Sequence, residues 1–285
     1  MLLRLVFALA LLLYTQISVS YGCSSPMDCS LLGECVNSTC VCDTGFTGKT
    51  CGILDLVPGS RDFGYHNLTS GVGASWGGNS IYFNGLWHAF FAEMTQNCTL
   101  NEWGSNSAVI HAVSSSALGP FTKIATAFPA FAHNPTVRAL PDGTGFVVYL
   151  IAGQTTERNC SANSSSAHDS FRKKRSNQPN SNIKVAFSDD LYNWSVPAPI
   201  EFTNWNDSIL CGFSNPSPSF FANGSLLFAF TAGLCEPVTG FEETIGVAYA
   251  ESWQKPYQLI KPNPIHNYSK LCIAGFAEDP FIWYE

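Results

Sequence analysis

From about Ser60 onward, short apolar runs are cut every few positions by glycine, proline or a polar side chain, the punctuation of strands rather than helices. The runs at 86–92, 109–113, 146–150, 183–187, 226–230 and 245–250 are rich in aliphatic and aromatic residues, many of which suit a pleated, half-buried surface. Asn84-Gly85, Asp142-Gly143 and Asn223-Gly224 each separate two such runs. Both central residues of a tight primed turn need positive φ, so these dipeptides predict three hairpins.

The hairpins belong to a weak repeat of roughly 65 to 80 residues. Asn134-Pro135 and Asn215-Pro216 each open a unit, and each asparagine stands nine positions ahead of its turn glycine. The same count back from Gly85 reaches Trp76, and Glu278-Asp279-Pro280-Phe281 opens a further unit. The runs at 109–113, 183–187 and 245–250 supply third strands, and the segments C-terminal to them supply fourth strands. Four short strands per unit, repeated radially, predict the blades of a β-propeller, so the fold class is all-β. Three complete blades and the first strand of a fourth are expected within 60–285, an arc incomplete at its C-terminus. Residues 154–182 interrupt the repeat with a polar insertion carrying Arg172-Lys173-Lys174-Arg175, expected as a surface loop.

The front of the chain has a different organisation. Arg4 precedes an apolar run from Leu5 to Leu13 and then small residues, the pattern of a signal peptide over 1–22; the run is too short to span a bilayer. Between Cys23 and Cys51 six cysteines fall at intervals of five, five, four, one and eight residues, too dense for an apolar core to be the organiser. The intervals do not match those of zinc sites. Cys40-Val41-Cys42-Asp43-Thr44-Gly45-Phe46-Thr47-Gly48-Lys49-Thr50-Cys51 resembles the closing hairpin of EGF-like domains, which implies such a module over 23–52 with pairs Cys23–Cys35, Cys29–Cys40 and Cys42–Cys51. Tyr21 and Gly22 stand where calcium-binding modules of that kind carry an acid. The total of eleven cysteines leaves Cys98, Cys160, Cys211, Cys235 and Cys272 unassigned, with Cys211 and Cys235 near neighbours in sequence. Nine Asn-X-Ser/Thr sequons add to the expectation of a secreted, extracellular glycoprotein.

Charged residues make up 12% of the chain and the net charge is −7, which excludes the broad basic face that nucleic acid requires. No phosphate-cradling loop, dinucleotide fingerprint or nucleophile elbow occurs. More specific are the blade endings. Ala186-Phe187-Ser188-Asp189-Asp190-Leu191-Tyr192-Asn193-Trp194 and Ala112-Val113-Ser114 leading to Gly119-Pro120-Phe121 resemble those of glycoside hydrolase family 43, five-bladed propellers that act on polysaccharides. Ala92-Glu93-Met94, His133-Asn134-Pro135-Thr136 and Glu278-Asp279-Pro280-Phe281 add to the likeness.

The resemblance implies that functional side chains open the innermost strands and face a central funnel, and that two aspartates and a glutamate serve hydrolysis. Here the expected acids are replaced by Trp76, Asn134 and Asn215, and amides cannot carry a proton at neutral pH. Glu278, Asp279 and Glu93 remain as candidate catalytic carboxylates, with Asp62 as a further acid, and Trp76, His133, Asn134 and Asn215 as candidate sugar-binding residues. His88, His111 and His133 show no metal-ligand spacing, so no cofactor is expected; calcium, which some propellers of that family hold near a histidine, is left open but not indicated. Two functions stay open: a secreted glycan-active protein that binds and hydrolyses a polysaccharide, and a non-catalytic glycan-binding or adhesion protein. In either, the EGF-like module is a spacer or a surface for an extracellular protein partner.

Overall fold

The computed structural model describes residues 22–56, 58–60, 63–65, 74–160, 183–205, 210–234, 243–261 and 277–282. The segment up to Tyr21, where a signal peptide is expected, Asp62, the Arg172 to Arg175 run, Cys235, Cys272 and the side chain of Cys211 lie outside them. The chain forms two compact units, Met1–Arg61 and Asp62–Glu285. Among the described residues no helix is long and apolar enough to cross a membrane.

The first unit holds two small antiparallel ladders, β1 (Gly33–Val36) with β2 (Thr39–Cys42) and β3 (Phe46–Thr47) with β4 (Ile53–Leu54). Disulfides Cys23–Cys35, Cys29–Cys40 and Cys42–Cys51 close it, and the sulfurs of Cys29 and Cys51 occupy its centre in place of an apolar core.

The second unit is all-β. Its first sheet runs in chain order through β5 (Ser75–Phe83), β6 (Leu86–Met94), β7 (Ser107–Ser114) and β8 (Thr122–Phe128). The second is β9 (Ala132–Ala139), β10 (Phe146–Ala152), β11 (Ile183–Ser188) and β12 (Ala198–Pro199). The third is β13 (Leu210–Phe220), β14 (Leu226–Leu234), β15 (Glu243–Ala250) and β16 (Gln258–Leu259). Each sheet is a simple antiparallel meander, the form of a propeller blade. The central strands are apolar on both faces because each blade packs on its neighbours. Phe90, Val109, Val148 and Leu150 fill the space between the first two blades, and Tyr149, Phe213, Phe228 and Phe230 that between the second and third.

In the second of these layers the hydroxyls of Tyr149 and Tyr257 meet at 2.8 Å, and Tyr257 also reaches the Trp253 carbonyl at 3.3 Å. Tyr257 donates to the carbonyl and Tyr149 donates to Tyr257. Tyr149→Phe therefore removes one bond and strands nothing, costing about 1 kcal/mol, whereas Tyr257→Phe leaves the Tyr149 hydroxyl unpaired in the core and costs about 2 kcal/mol. Urea denaturation of the two variants should give that order; the reverse order would refute the assignment of donors.

Two sequence expectations about the hairpins need correction. Only Asn84-Gly85 is a two-residue turn, with φ of 49° and 83° and Phe83 paired to Leu86. In the second blade the last ladder pair is Ala139 with Phe146, and in the third Phe220 with Leu226, so these connections are longer. There Asp142 and Asn223 turn the chain with their side chains: Asp142 Oδ1 accepts from the Thr144 amide at 3.0 Å and Asn223 Oδ1 from the Ser225 amide at 3.1 Å. Unequal loops break the count back from the turn glycine, with consequences at the axis.

Candidate functional site at the blade axis

The innermost strands β5, β9 and β13 each carry a bulge near their start, at Trp76/Gly78, within 133–136 and at Ser214/Ser217. A bulge lets one residue take a left-handed backbone and re-aims its side chain. Those residues are Gly77, Asn134 and Asn215, with φ of 60°, 46° and 51°; Asp279, in the segment 277–282, repeats the conformation at 53°. Asparagine and aspartate tolerate this region better than other side chains, and glycine best. Proline follows at 135, 216 and 280, where an inner edge needs no amide donor on the axial side.

The four positions converge. Asn134 Nδ2 donates to Asn215 Oδ1 at 3.0 Å and lies 3.4 Å from Asp279 Oδ1, and Asn215 Nδ2 donates to Asp279 Oδ1 at 2.8 Å. Gly77 completes the ring: a Cβ there would stand 2.4 Å from Asn134 Oδ1. That oxygen is buried and has no partner among the described residues. Burial and the neighbouring charge of Glu278 push the Asp279 carboxyl above its ordinary range, against the bond from Asn215, which lowers it.

A cavity of about 410 Å³ opens over the ring, lined by Trp76, Asn79, Thr136, Arg138 and Phe281 besides the ring residues and their prolines. Its walls are tied together across the blades by side chains that satisfy the inner edges. Asn79 bonds both the amide and the carbonyl of Val137, at 2.8 and 3.0 Å. Thr136 Oγ1 donates to the Pro216 carbonyl at 2.8 Å, and Arg138 Nε to the Pro218 carbonyl at 3.0 Å. Ser217 Oγ accepts from the Ile282 amide at 3.2 Å. These bonds cap strand edges that would otherwise expose unpaired backbone groups to the channel.

Asn134, Asn215 and Asp279 thus stand together. Trp76 lines the cavity but is not the counterpart of the two asparagines; Gly77 is, and Trp76 corresponds to His133, Ser214 and Glu278, one residue earlier. Its indole is 45% exposed, so a ring face is free to meet a ligand. His133 turns away: Ser107 Oγ donates to the Ala132 carbonyl at 2.8 Å and lies 2.7 Å from His133 Nδ1, so the imidazole donates from Nδ1, and its face stacks on Trp103. Burial drops it to about 4. Glu93 also lies away from the ring, opposite Ser75 in the ladder, where it pairs with Lys123 Nζ at 2.6 Å and accepts a short hydrogen bond from Tyr65. Glu278 and Asp279 are both exposed in part to solvent, and of the two Asp279 alone lines the cavity.

Asn79, Thr136 and Arg138 were missed by sequence reasoning. The signal was present in part: on β9 Asn134, Thr136 and Arg138 alternate with buried Pro135 and Val137, so a polar face runs along a strand. A fourth disulfide, Cys98–Cys160, joins the segment after β6 to that after β10, beside Asn106, whose amide bonds the Arg158 carbonyl at 2.8 Å.

No family model matches the chain, and no curated protein matches it in sequence. Solved structures do. A family 117 glycoside hydrolase, Zg3597 of the marine bacterium Zobellia galactanivorans, aligns with a TM-score of 0.48 and 13% identity over 72% of this chain and 61% of its own. A thermostable family-43 glycoside hydrolase aligns at 0.45 and 19% identity over 70% and 60% respectively. The chain therefore spans about 60% of the length of these structures.

Proposed function

We propose that this chain is a secreted protein that binds a glycan in the cavity at the blade axis. One observation carries the reading: polar side chains from three successive blade openings meet at the floor of a cavity walled by aromatic and polar groups. Asn134 and Asn215 offer donors and acceptors to sugar hydroxyls, Asp279 accepts from them, and Trp76 offers a ring face for an apolar sugar face. Secretion is supported by the apolar leader and by four disulfides, which persist in oxidising compartments. The small disulfide-closed unit, which resembles an EGF-like module in sequence, serves as a spacer or as a contact for an extracellular protein.

Asp279 is the one carboxylate lining the cavity among the described residues, whereas glycoside hydrolysis uses a pair. Binding without turnover is accordingly the leading reading. A hydrolytic role is favoured by the raised Asp279 carboxyl alone, which is the direction a general acid requires. Calorimetric titration of the full chain with a panel of plant and algal oligosaccharides, alongside a reducing-sugar assay, separates the two. We expect binding without sugar release, weakened at least about ten-fold by Asp279→Ala through loss of a charge-assisted bond. Sugar release abolished by Asp279→Asn would establish the hydrolytic role instead, and binding to no member of the panel would end the glycan reading.

A further inference from the structure

We infer that the glycan taken by this cavity carries an anionic group, a uronate carboxylate or a sulfate ester, and that Arg138 is the cation that receives it. The inference rests on the glycan-binding reading and makes it more specific. Arg138 lines the cavity from β9, four residues beyond Asn134 on the same strand. At about 3.3 Å per residue, that places the two α-carbons up to about 13 Å apart along the channel. The ring of amides and the guanidinium therefore occupy separate ends of one space, with room for sugar hydroxyls at the first and a charged substituent at the second.

The guanidinium is held, and among the described residues no carboxylate neutralises it. Nε donates to the Pro218 carbonyl at 3.0 Å and Nη1 to the Val137 carbonyl at 3.0 Å, both uncharged acceptors. The two ion pairs among the described residues, Lys123 with Glu93 and Arg158 with Glu102, do not involve it. The acid that shares the cavity, Asp279, has its Oδ1 directed at the two asparagine amides. Five N–H donors radiate from a guanidinium, so donors remain beyond the two committed to backbone. Partial burial of a cation without a counter-charge is costly, and here it holds the group below its ordinary value. An anionic substituent offsets that cost, a neutral hydroxyl does not. The two carbonyls also fix the plane of the fork in advance, which suits bidentate recognition of a carboxylate or sulfate.

Matched probes decide it: trigalacturonate against its methyl ester, and a sulfated galacto-oligosaccharide against its desulfated form, titrated into the full chain at low and at physiological salt. In at least one pair the anionic member should bind ten-fold or more tighter, with the advantage shrinking as salt rises. Arg138→Gln should reduce that ratio to about one whatever it does to the neutral member's affinity, and Arg138→Lys should keep part of the advantage. The wild-type ratios stand even if a variant fails to fold. Equal binding of charged and neutral members in both pairs overturns the inference and leaves the glycan reading intact. Binding of none of the four probes, together with no binding across the oligosaccharide panel above, removes both. The pair that shows the ratio identifies carboxylate or sulfate.

Discussion

Lowering the pH from 7 to 4 should destabilise the second unit by at least about 3 kcal/mol, through histidines that the fold buries uncharged. His133 and His111 are both pushed down to about 4 by burial, His111 further by the adjacent His88, which burial also lowers. Their surroundings explain why. His88 Nδ1 and His111 Nε2 share one hydrogen bond of 2.9 Å, His88 bonds the Phe83 carbonyl, and His111 is stacked on Phe90 with the Tyr192 ring tilted against it. A second proton on this pair would place two cations in contact. Asp190 is the acid that acts on His111, and it pulls the other way. His133 sits against Trp103 and Ser107 without an acid among its bonded partners.

The direction comes from proton counting. Unfolded imidazoles bind protons below about 6.5, whereas the native rings resist until about 4, so unfolding takes up protons across that window. The stability they contribute is complete above 6.5 and is lost as the pH falls toward 4. A depression of 2.5 for one ring corresponds to about 3 kcal/mol at the bottom of the window, and the loss at His111, which is coupled to His88 and not to His133, comes on top of it. Asp190, held down to about 2 by the backbone and side-chain amides of Asn193, then by the Tyr192 amide and the Ser188 hydroxyl, loses its contribution only at lower pH, so the two effects separate. Denaturant midpoints measured at half-unit steps should decline through this range, and His133→Gln should flatten the decline. Constant midpoints between pH 6.5 and 4.5 would mean that the rings are solvated or already charged.

How far these features could be read in advance depends on the range of the interactions that make them. Strand runs, hairpin positions and the recurrence of Asn-Pro at 134 and 215 are local, and local chemistry writes itself into sequence: bulged, left-handed openings select asparagine, aspartate or glycine, and the axial edge tolerates proline. The turn at Asn84-Gly85 was legible for the same reason. Asp142-Gly143 and Asn223-Gly224 look identical in sequence but sit inside longer loops, because an Asx side chain can turn the chain without both residues taking positive φ. That ambiguity displaced the first blade by one residue and put Trp76 where Gly77 belongs.

Other features are set by partners far along the chain. Glu93 reads as a free strand-end carboxylate until Lys123, on the outermost strand of the same blade, and Tyr65 are seen to close on it. His133 adjoins a ring residue in sequence yet faces the opposite way, since neighbouring side chains along a strand point to opposite faces and Trp103 waits on the far one. Cys98 and Cys160 are separated by 62 positions, and no spacing rule pairs them. Arg138 was visible as the one Lys, Arg, Asp or Glu of a strand with a polar face, but that its guanidinium meets backbone carbonyls and no carboxylate among the described residues becomes evident only once β13 is beside it.

Gly77→Val should cost about 4 kcal/mol and abolish glycan binding, the largest effect expected of one substitution at the axis. Two terms contribute. A β-branched side chain at φ of 60° is strained by about 1 to 3 kcal/mol. The new Cβ would also stand 2.4 Å from Asn134 Oδ1, which overpacks the ring by a similar amount. Normally the end of a side chain yields cheaply, but Asn134 can yield only by leaving Asn215 and Asp279, since its Nδ2 is committed to both. Gly85→Val separates the terms, because Gly85 has φ of 83° and open space where a Cβ would go; it should show the backbone strain alone and bind normally. Adding Asn134→Gly to Gly77→Val removes the collision, so the double variant should be more stable than the sum of the single losses allows. Stability would return without affinity, because the amide that joins the second blade to the third and to Asp279 is gone. Strict additivity in this cycle, or unchanged binding by Gly77→Val, would show that the first blade does not pack on the ring.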